Sequence, residues 1–318
     1  MSGKRIFYVA LSLLLLLLPA CNTVPDGIPS FPQDAAIPII GVPGSTHPMI
    51  LKAAPNLLFA EAYKMISPKA ASAPPVTAKM PAASGKEILS KQGATLDYSN
   101  TSEGYIMAKY SGLAKIKVLV YFNGGASYYQ YNLEGNDVYI TIPLQSGSGS
   151  YRVRFMENVS GSNYAELCST EFYAAVSGYG GFLYPNQYVN YSLTSTAVAT
   201  AKSLCTNCKN DAEKTAAIYK YIAANIKYDY AKAGSVTSGY LPNVDSTLSV
   251  KKGICFDYSA LMAAMCRSQG IPVKLIMGST NVGYHAWNEV YLDGWKRYDA
   301  TFAAAGQSAG TYTAEKNY

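Results

Sequence analysis

Histidine is almost missing from this chain: there are two in 318 residues, His47 and His285. That shortage excludes a zinc site built on imidazoles and most metallopeptidase chemistry, so no metal and no cofactor is expected. Charge is also sparse, at 14% of residues. No run of Lys or Arg stands anywhere in the sequence, and Lys4 and Arg5 supply two of the formal +6. A mildly basic, dispersed charge excludes nucleic acid as the expected partner and leaves only weak attraction to anionic polymer or headgroups. The apolar run Ile6 to Leu18 stops at thirteen residues, short of the ~20 that a membrane-spanning helix needs.

What is there begins with that same run. A basic start followed by a short apolar segment suits the core of a signal peptide. It ends in Leu18-Pro19-Ala20-Cys21, which resembles a bacterial lipobox. The resemblance implies that residues 1–21 are a lipoprotein signal whose cysteine receives a diacylglycerol. The chain is then expected to be exported and held on the extracytoplasmic face of the cell membrane through Cys21.

Removal of that segment leaves about 298 residues, room for two ordinary domains. Residues 22–86 hold eleven of the sixteen prolines, with many Ala and Ser. Such a composition buries too little apolar surface to offset its ordering entropy, so it reads as a tether. A coil of that length reaches ~45 Å on average and ~200 Å when extended. Within it, only Asn56 to Ile66 has the apolar spacing of a short helix.

Residues 87–185 change character. Tyr105–Tyr110, Ile116–Tyr121, Val138–Ile142 and Tyr151–Phe155 alternate as strands, separated by Gly- and Asn-containing breaks. Short strands at this spacing predict an antiparallel β-sandwich. Tyr128, Tyr129 and Tyr131 either form a sugar-stacking face or simply express the β-propensity of tyrosine, the commoner case.

Residues 186–318 turn helical. Thr194 to Leu204 reads as one helix, and a second starts at a capping box formed by Asn210 and Glu213. Ile218, Ile222 and Ile226 then mark its buried face. Between the helices lie Cys205 and Cys208, a local disulfide or two ordinary thiols. No thioredoxin-like βαβ pattern flanks them, and no second ligand pair suggests zinc. With Cys21 lipidated, five cysteines remain, an odd number that leaves one thiol for chemistry.

The stretch from Lys251 to Phe302 carries the chemistry. Cys255 opens a helix, Phe256 to Gln269, that is apolar on nearly every face and therefore central to a domain. Gly270 and Pro272 end it. The helix N-terminus favours a thiolate and offers a backbone N–H to an oxyanion. A strand from Val273 to Met277 follows, then a second containing His285. Asp293-Gly294 turns the chain back toward Asp299. Side chains alternate with period two, so a two-residue turn would place His285 and Asp299 on opposite faces. A three-residue turn, Leu292-Asp293-Gly294 with Gly294 at positive φ, pairs Trp287 with Asp299 and puts its carboxylate beside His285, expected at Nδ1. Cys255 is then the nucleophile, His285 the general base and Asp299 its orienting acid.

Gly-x-Cys-x-x-Tyr-Ser at a helix start, Gly270-Ile-Pro272, His-Ala-Trp-x-Glu-Val and Gly-Trp leading to Tyr-Asp-Ala-Thr301 resemble the transglutaminase-like superfamily. The resemblance covers about residues 190–305. It implies an α+β class: a papain-like transglutaminase core, its Cys-bearing helix packed on an antiparallel sheet, preceded by the all-β sandwich. It also implies a Cys thioester enzyme, a peptidase, amidase or acyltransferase. Its expected partner is a peptide, protein or peptidoglycan-stem substrate at the cell envelope. Tyr240, Asn243 and Trp287 are candidate groove residues. A different class of function stays open: an inert binding or scaffolding lipoprotein.

Overall fold

The computed structural model describes residues 78–318. Cys21, the tether through residue 77 and the helix expected at 56–66 lie outside the described residues.

Eight strands come first: β1 (Ile88–Lys91), β2 (Ala94–Asp97), β3 (Tyr105–Tyr110), β4 (Ile116–Phe122), β5 (Tyr128–Leu133), β6 (Ile140–Pro143), β7 (Gly149–Ser160) and β8 (Asn163–Ala174). They make two antiparallel sheets, ordered β1-β2-β3-β6 and β5-β4-β7-β8. Alternation drives their closure. On β7, Tyr151, Val153 and Phe155 are buried while Ser150 and Arg152 face water. Leu96, Ile106 and Ile142 of one sheet meet Val118, Val120, Val153 and Phe155 of the other in one core. Residues 78–86, expected to belong to the tether, are bound to this sandwich. The Gly85 N–H donates to Asp97 Oδ2 at 2.6 Å and Asn100 Nδ2 donates to the Ala82 carbonyl at 2.7 Å. Polar backbone that seemed unable to fold alone is satisfied by side chains of the domain beside it.

Of the β5 tyrosines, Tyr131 is used for packing, while Tyr128 and Tyr129 are half-buried. Tyr131 is fully buried and sits edge-on to Tyr188 and Tyr318, with centroids 5.7 and 6.4 Å away. Tyr188 stacks on Tyr318 at 3.7 Å and reaches Phe256 at 6.2 Å. An aromatic array therefore runs from the sandwich to the residue after Cys255.

The second half starts with α1 (Thr196–Leu204) and α2 (Asp211–Asn225). Asn210 Oδ1 accepts the Glu213 N–H at 2.9 Å, and the Glu213 carboxylate accepts the Lys209 N–H at 2.9 Å. Ile218, Ile222 and Ile226 are buried, as their spacing predicts. Cys205 and Cys208 stand as free thiols. Next, β9 (Lys227–Tyr228) pairs in parallel with β10 (Lys252–Gly253), and between them in sequence lie α3 (Tyr230–Ala233) and α4 (Val244–Val250).

The central helix is α5 (Cys255–Ser268), buried along its whole length. It packs on β11 (Val273–Thr280) and β12 (Gly283–Tyr291). With β13 (Trp295–Tyr298) and β14 (Tyr312–Asn317) these form an antiparallel sheet ordered β13-β12-β11-β14. A short helix, α6 (Ala300–Ala304), follows β13. Gly270 at φ 78° supplies the left-handed stop after α5. One member of α5 breaks its apolar character. Arg267 is fully buried, and its guanidinium donates to the carbonyls of Val273 (2.7 and 3.0 Å), Tyr184 (2.8 Å) and Tyr318 (2.6 Å). Burial lowers its pKa to about 10.

Candidate active site

Three elements converge on one buried chain of polar groups. Cys255 is the first residue of α5, His285 lies on β12, and Asp299 is the N-cap of α6. They are 1%, 6% and 8% exposed. His285 Nε2 lies 2.8 Å from Asp299 Oδ2, and the Cys255 thiol is near enough to the same imidazole to help raise its pKa. Burial alone would strip a proton from His285. The hydrogen bond with Asp299 and the proximity of Cys255 outweigh it and push the pKa up to about 10.

Register decides that His285 and Asp299 meet. Tyr291 pairs with Trp295, Glu289 with Arg297 and Asn288 with Tyr298. Three residues, Leu292 to Gly294, therefore form the loop, and the same register carried one step further puts Trp287 opposite Asp299. Positive φ is shared between Asp293 at 52° and Gly294 at 125°. The left-handed helical conformation thus falls on Asp293 rather than on the expected glycine, and a short polar side chain tolerates it. A second detail also differs from expectation. Asp299 approaches Nε2, not Nδ1, because its other oxygen is fixed by the Phe302 N–H at 3.0 Å. That anchorage brings the carboxylate to the far edge of the ring and leaves Nδ1 for the thiol.

Other side chains hold the geometry. The Tyr312 hydroxyl donates to Asp299 Oδ2 at 3.0 Å. Phe302 stacks on the imidazole at 4.5 Å. Asn288 Nδ2 donates to the Ser259 carbonyl at 3.0 Å, tying the His285 strand to the Cys255 helix. Trp287 is no groove residue. It is 2% exposed, parallel to His285 and edge-on to Tyr312, because it shares the buried face of β12 with the histidine.

Residues 198–300 match the family model of the transglutaminase-like superfamily. They contain all three members of the polar chain. This segment is a transglutaminase-like core. Over 107 residues the chain is 33% identical to the human (Homo sapiens) kyphoscoliosis peptidase, a match covering 30% of this chain and 16% of the relative. Over 115 residues it is 34% identical to UPF0252 protein MJ1282 of Methanocaldococcus jannaschii, covering 32% and 33% of the two chains. The chain thus spans a third or less of the length of these curated relatives. The periplasmic domain of TgpA from Pseudomonas aeruginosa is a similar solved structure, with a TM-score of 0.33 and 14% identity over 61% of this chain and 89% of that one.

The start of α5 in the transglutaminase-like core is braced from below. Asp257 accepts the Ile254 N–H at 2.8 Å, Lys232 Nζ at 2.7 Å and the Tyr240 hydroxyl at 2.5 Å. Gly253 is required there, since a Cβ would come within 2.6 Å of Asp257 Cβ. Sequence reading missed this network because its members are far apart and share no periodicity. Tyr240 does border a small open cleft with Gln187, Tyr188, Leu241, Phe256 and Met277. Asn243 does not line that cleft. Its side chain accepts the Ser246 N–H and caps α4.

The raised His285 pKa has a consequence for stability. Its contribution is fully present below the unfolded value near 6.5 and is lost as pH rises through about 10. The stability advantage of wild type over His285→Gln should therefore shrink from pH 6 to pH 10 in urea titrations. A constant difference across that range would mean His285 is not held protonated.

Proposed function

We propose that this chain is a cell-envelope lipoprotein that cleaves or transfers amide acyl groups of peptides, proteins or peptidoglycan stems through a thioester on Cys255. The observation that carries the reading is the continuous buried chain from the Cys255 thiol through the imidazole to Asp299 Oδ2. Such a chain places a thiol, a base and an orienting acid in the order that covalent acyl chemistry needs.

The steps follow from the groups present. Cys255 Sγ attacks the amide carbon, and its proton resides on His285 Nδ1. The C–S bond forms as the carbonyl π pair moves onto oxygen. That pair returns, the C–N bond breaks, and the leaving amine takes the proton from His285. Water or an amine then attacks the thioester, its proton passes to His285, and the C–S bond breaks to restore Cys255. Asp299 holds the ring orientation and balances its positive charge.

Incubating the purified protein with cell-envelope extract and digesting it should yield an acylated Cys255 peptide in mass spectrometry. The acyl group would identify the substrate, and an unmodified Cys255 after acid quench at short times would count against the thioester. The anchor has its own test. Cys21→Ser should leave the exported protein in the soluble fraction or block its processing; normal cleavage with unchanged membrane association would remove lipidation from the reading.

A further inference from the structure

An acid that holds a buried imidazolium tightly also makes that ring a poor base, and the second half of a thioester reaction needs the base. Asp299 Oδ2 lies 2.8 Å from His285 Nε2, yet the same oxygen also accepts the Tyr312 hydroxyl at 3.0 Å. The other oxygen, Oδ1, is already fixed by the Phe302 N–H. Tyr312 therefore bonds to the very atom that supports the imidazole.

The phenol is built into that place. Tyr312 opens β14 and stands opposite Thr280 of β11. The chain just before it is tied to the β11–β12 turn, where Asn281 Oδ1 accepts the N–H groups of Gly310 at 2.8 Å and Thr311 at 3.2 Å. Its ring lies edge-on to Trp287 of β12 at 5.1 Å, and the Arg297 guanidinium of β13 covers it at 3.9 Å. All three other strands of the sheet thus hold one hydroxyl against one carboxylate oxygen.

A donor on Oδ2 takes up part of the carboxylate charge, so less of it stabilises the imidazolium. Burial and the adjacent Asp299 raise the Tyr312 pKa to about 12, which keeps the hydroxyl a donor. Other polar or charged groups that face the pair are the Cys255 thiol of α5, the Arg297 guanidinium behind Tyr312, and the Tyr219 hydroxyl of α2, which donates to the Asp299 carbonyl at 3.2 Å.

We propose that Tyr312 is a positioning residue that holds Asp299 Oδ2 and draws on its charge, so that His285 can shed its proton and serve as base when water or an amine attacks the thioester. This rests on the thiol reading above.

p-Nitrophenyl acetate isolates that step. The Cys255 C–S bond forms and p-nitrophenolate leaves; water then attacks the thioester, its proton passes to His285, and acetate leaves as the thiol is restored. Loss of the acetyl mass from the Cys255 peptide, followed against pH, should rise with a midpoint at which His285 becomes neutral. In Tyr312→Phe that midpoint should move up by about half a unit to one unit, the size of one hydrogen bond, making deacetylation about 3- to 10-fold slower below it. The chain has two histidines, so in a His47→Gln background proton NMR reads His285 alone, and its titration should move the same way. 3-Fluorotyrosine at position 312, a stronger donor of nearly the same size, should move both midpoints down, which keeps the test open if the Phe variant folds poorly. Unmoved midpoints overturn the proposal, as does a shift down in Tyr312→Phe. A rate lowered equally at every pH would make the hydroxyl merely structural and also overturn it. A wild-type Cys255 that takes no acetyl group would instead remove the thiol reading, and this assignment with it.

Discussion

Asp299→Asn is expected to lower acyl transfer by roughly 10⁴-fold, the scale of losing the orienting acid of a triad, and Cys255→Ala to abolish it. The first loss follows from two fixed hydrogen bonds. Asp299 Oδ1 accepts the Phe302 N–H and caps α6, while Oδ2 faces His285 Nε2 and accepts from Tyr312. Asparagine keeps the cap by leaving its oxygen at Phe302, which turns its NH₂ toward Nε2. The neutral imidazole must then accept at Nε2 and carry its proton on Nδ1. That tautomer presents a donor to Cys255 where the reaction needs an acceptor. The fold should survive, since the cap and the volume are retained. Steady-state rates together with thermal melts separate the two effects. A variant within about ten-fold of wild type would take the orienting role away from Asp299.

Arg267→Met should destabilise the protein by about 3–5 kcal/mol, the range for removing one side of a buried charged network. Methionine fills similar space without strain, so a cavity contributes little. The loss comes from the carbonyls of Val273, Tyr184 and Tyr318, all of which use the guanidinium as donor. Each buried carbonyl left unpaired costs ~1–3 kcal/mol, partly offset by the desolvation that Arg267 no longer bears. Lysine should recover only part of the loss, because one ammonium cannot reproduce a planar fork. Urea unfolding gives the difference directly. A change under about 1 kcal/mol would mean that water replaces the guanidinium at those carbonyls.

The features legible in the sequence were those governed by local rules. The apolar character of 255–269 and the Gly270-Ile-Pro272 break marked a buried helix and its end. The alternation around His285 left only one turn length compatible with a meeting of His285 and Asp299, and the register has that length. The family match covers the same segment. Strands failed where contrast failed. β5 reads Tyr-Tyr-Gln-Tyr-Asn-Leu, which has no apolar-polar contrast, and β8 carries a register shift opposite Phe155 and Met156. Long-range polar partners were illegible for another reason. Nothing in the residues around Arg267 reveals that its acceptors come from positions 184, 273 and 318. Nor does Tyr312, at the start of the last strand, announce that it will meet Asp299. The nitrogen assignment of His285 depended on Asp299 also capping a helix, a second duty that spacing alone did not disclose.

The aromatic array between the sandwich and the transglutaminase-like core bears on how this chain can be cut. A fragment beginning at residue 186 would satisfy the family match yet strip Tyr188 and Tyr318 of Tyr131. It would also discard the Tyr184 carbonyl that receives Arg267. The new surface would be tyrosine-rich and adjacent to Phe256, the residue after Cys255. Such a face invites self-association. A cloning boundary placed ahead of residue 78 would keep the sandwich as the core's own wall, whereas one placed by family resemblance would saw through it.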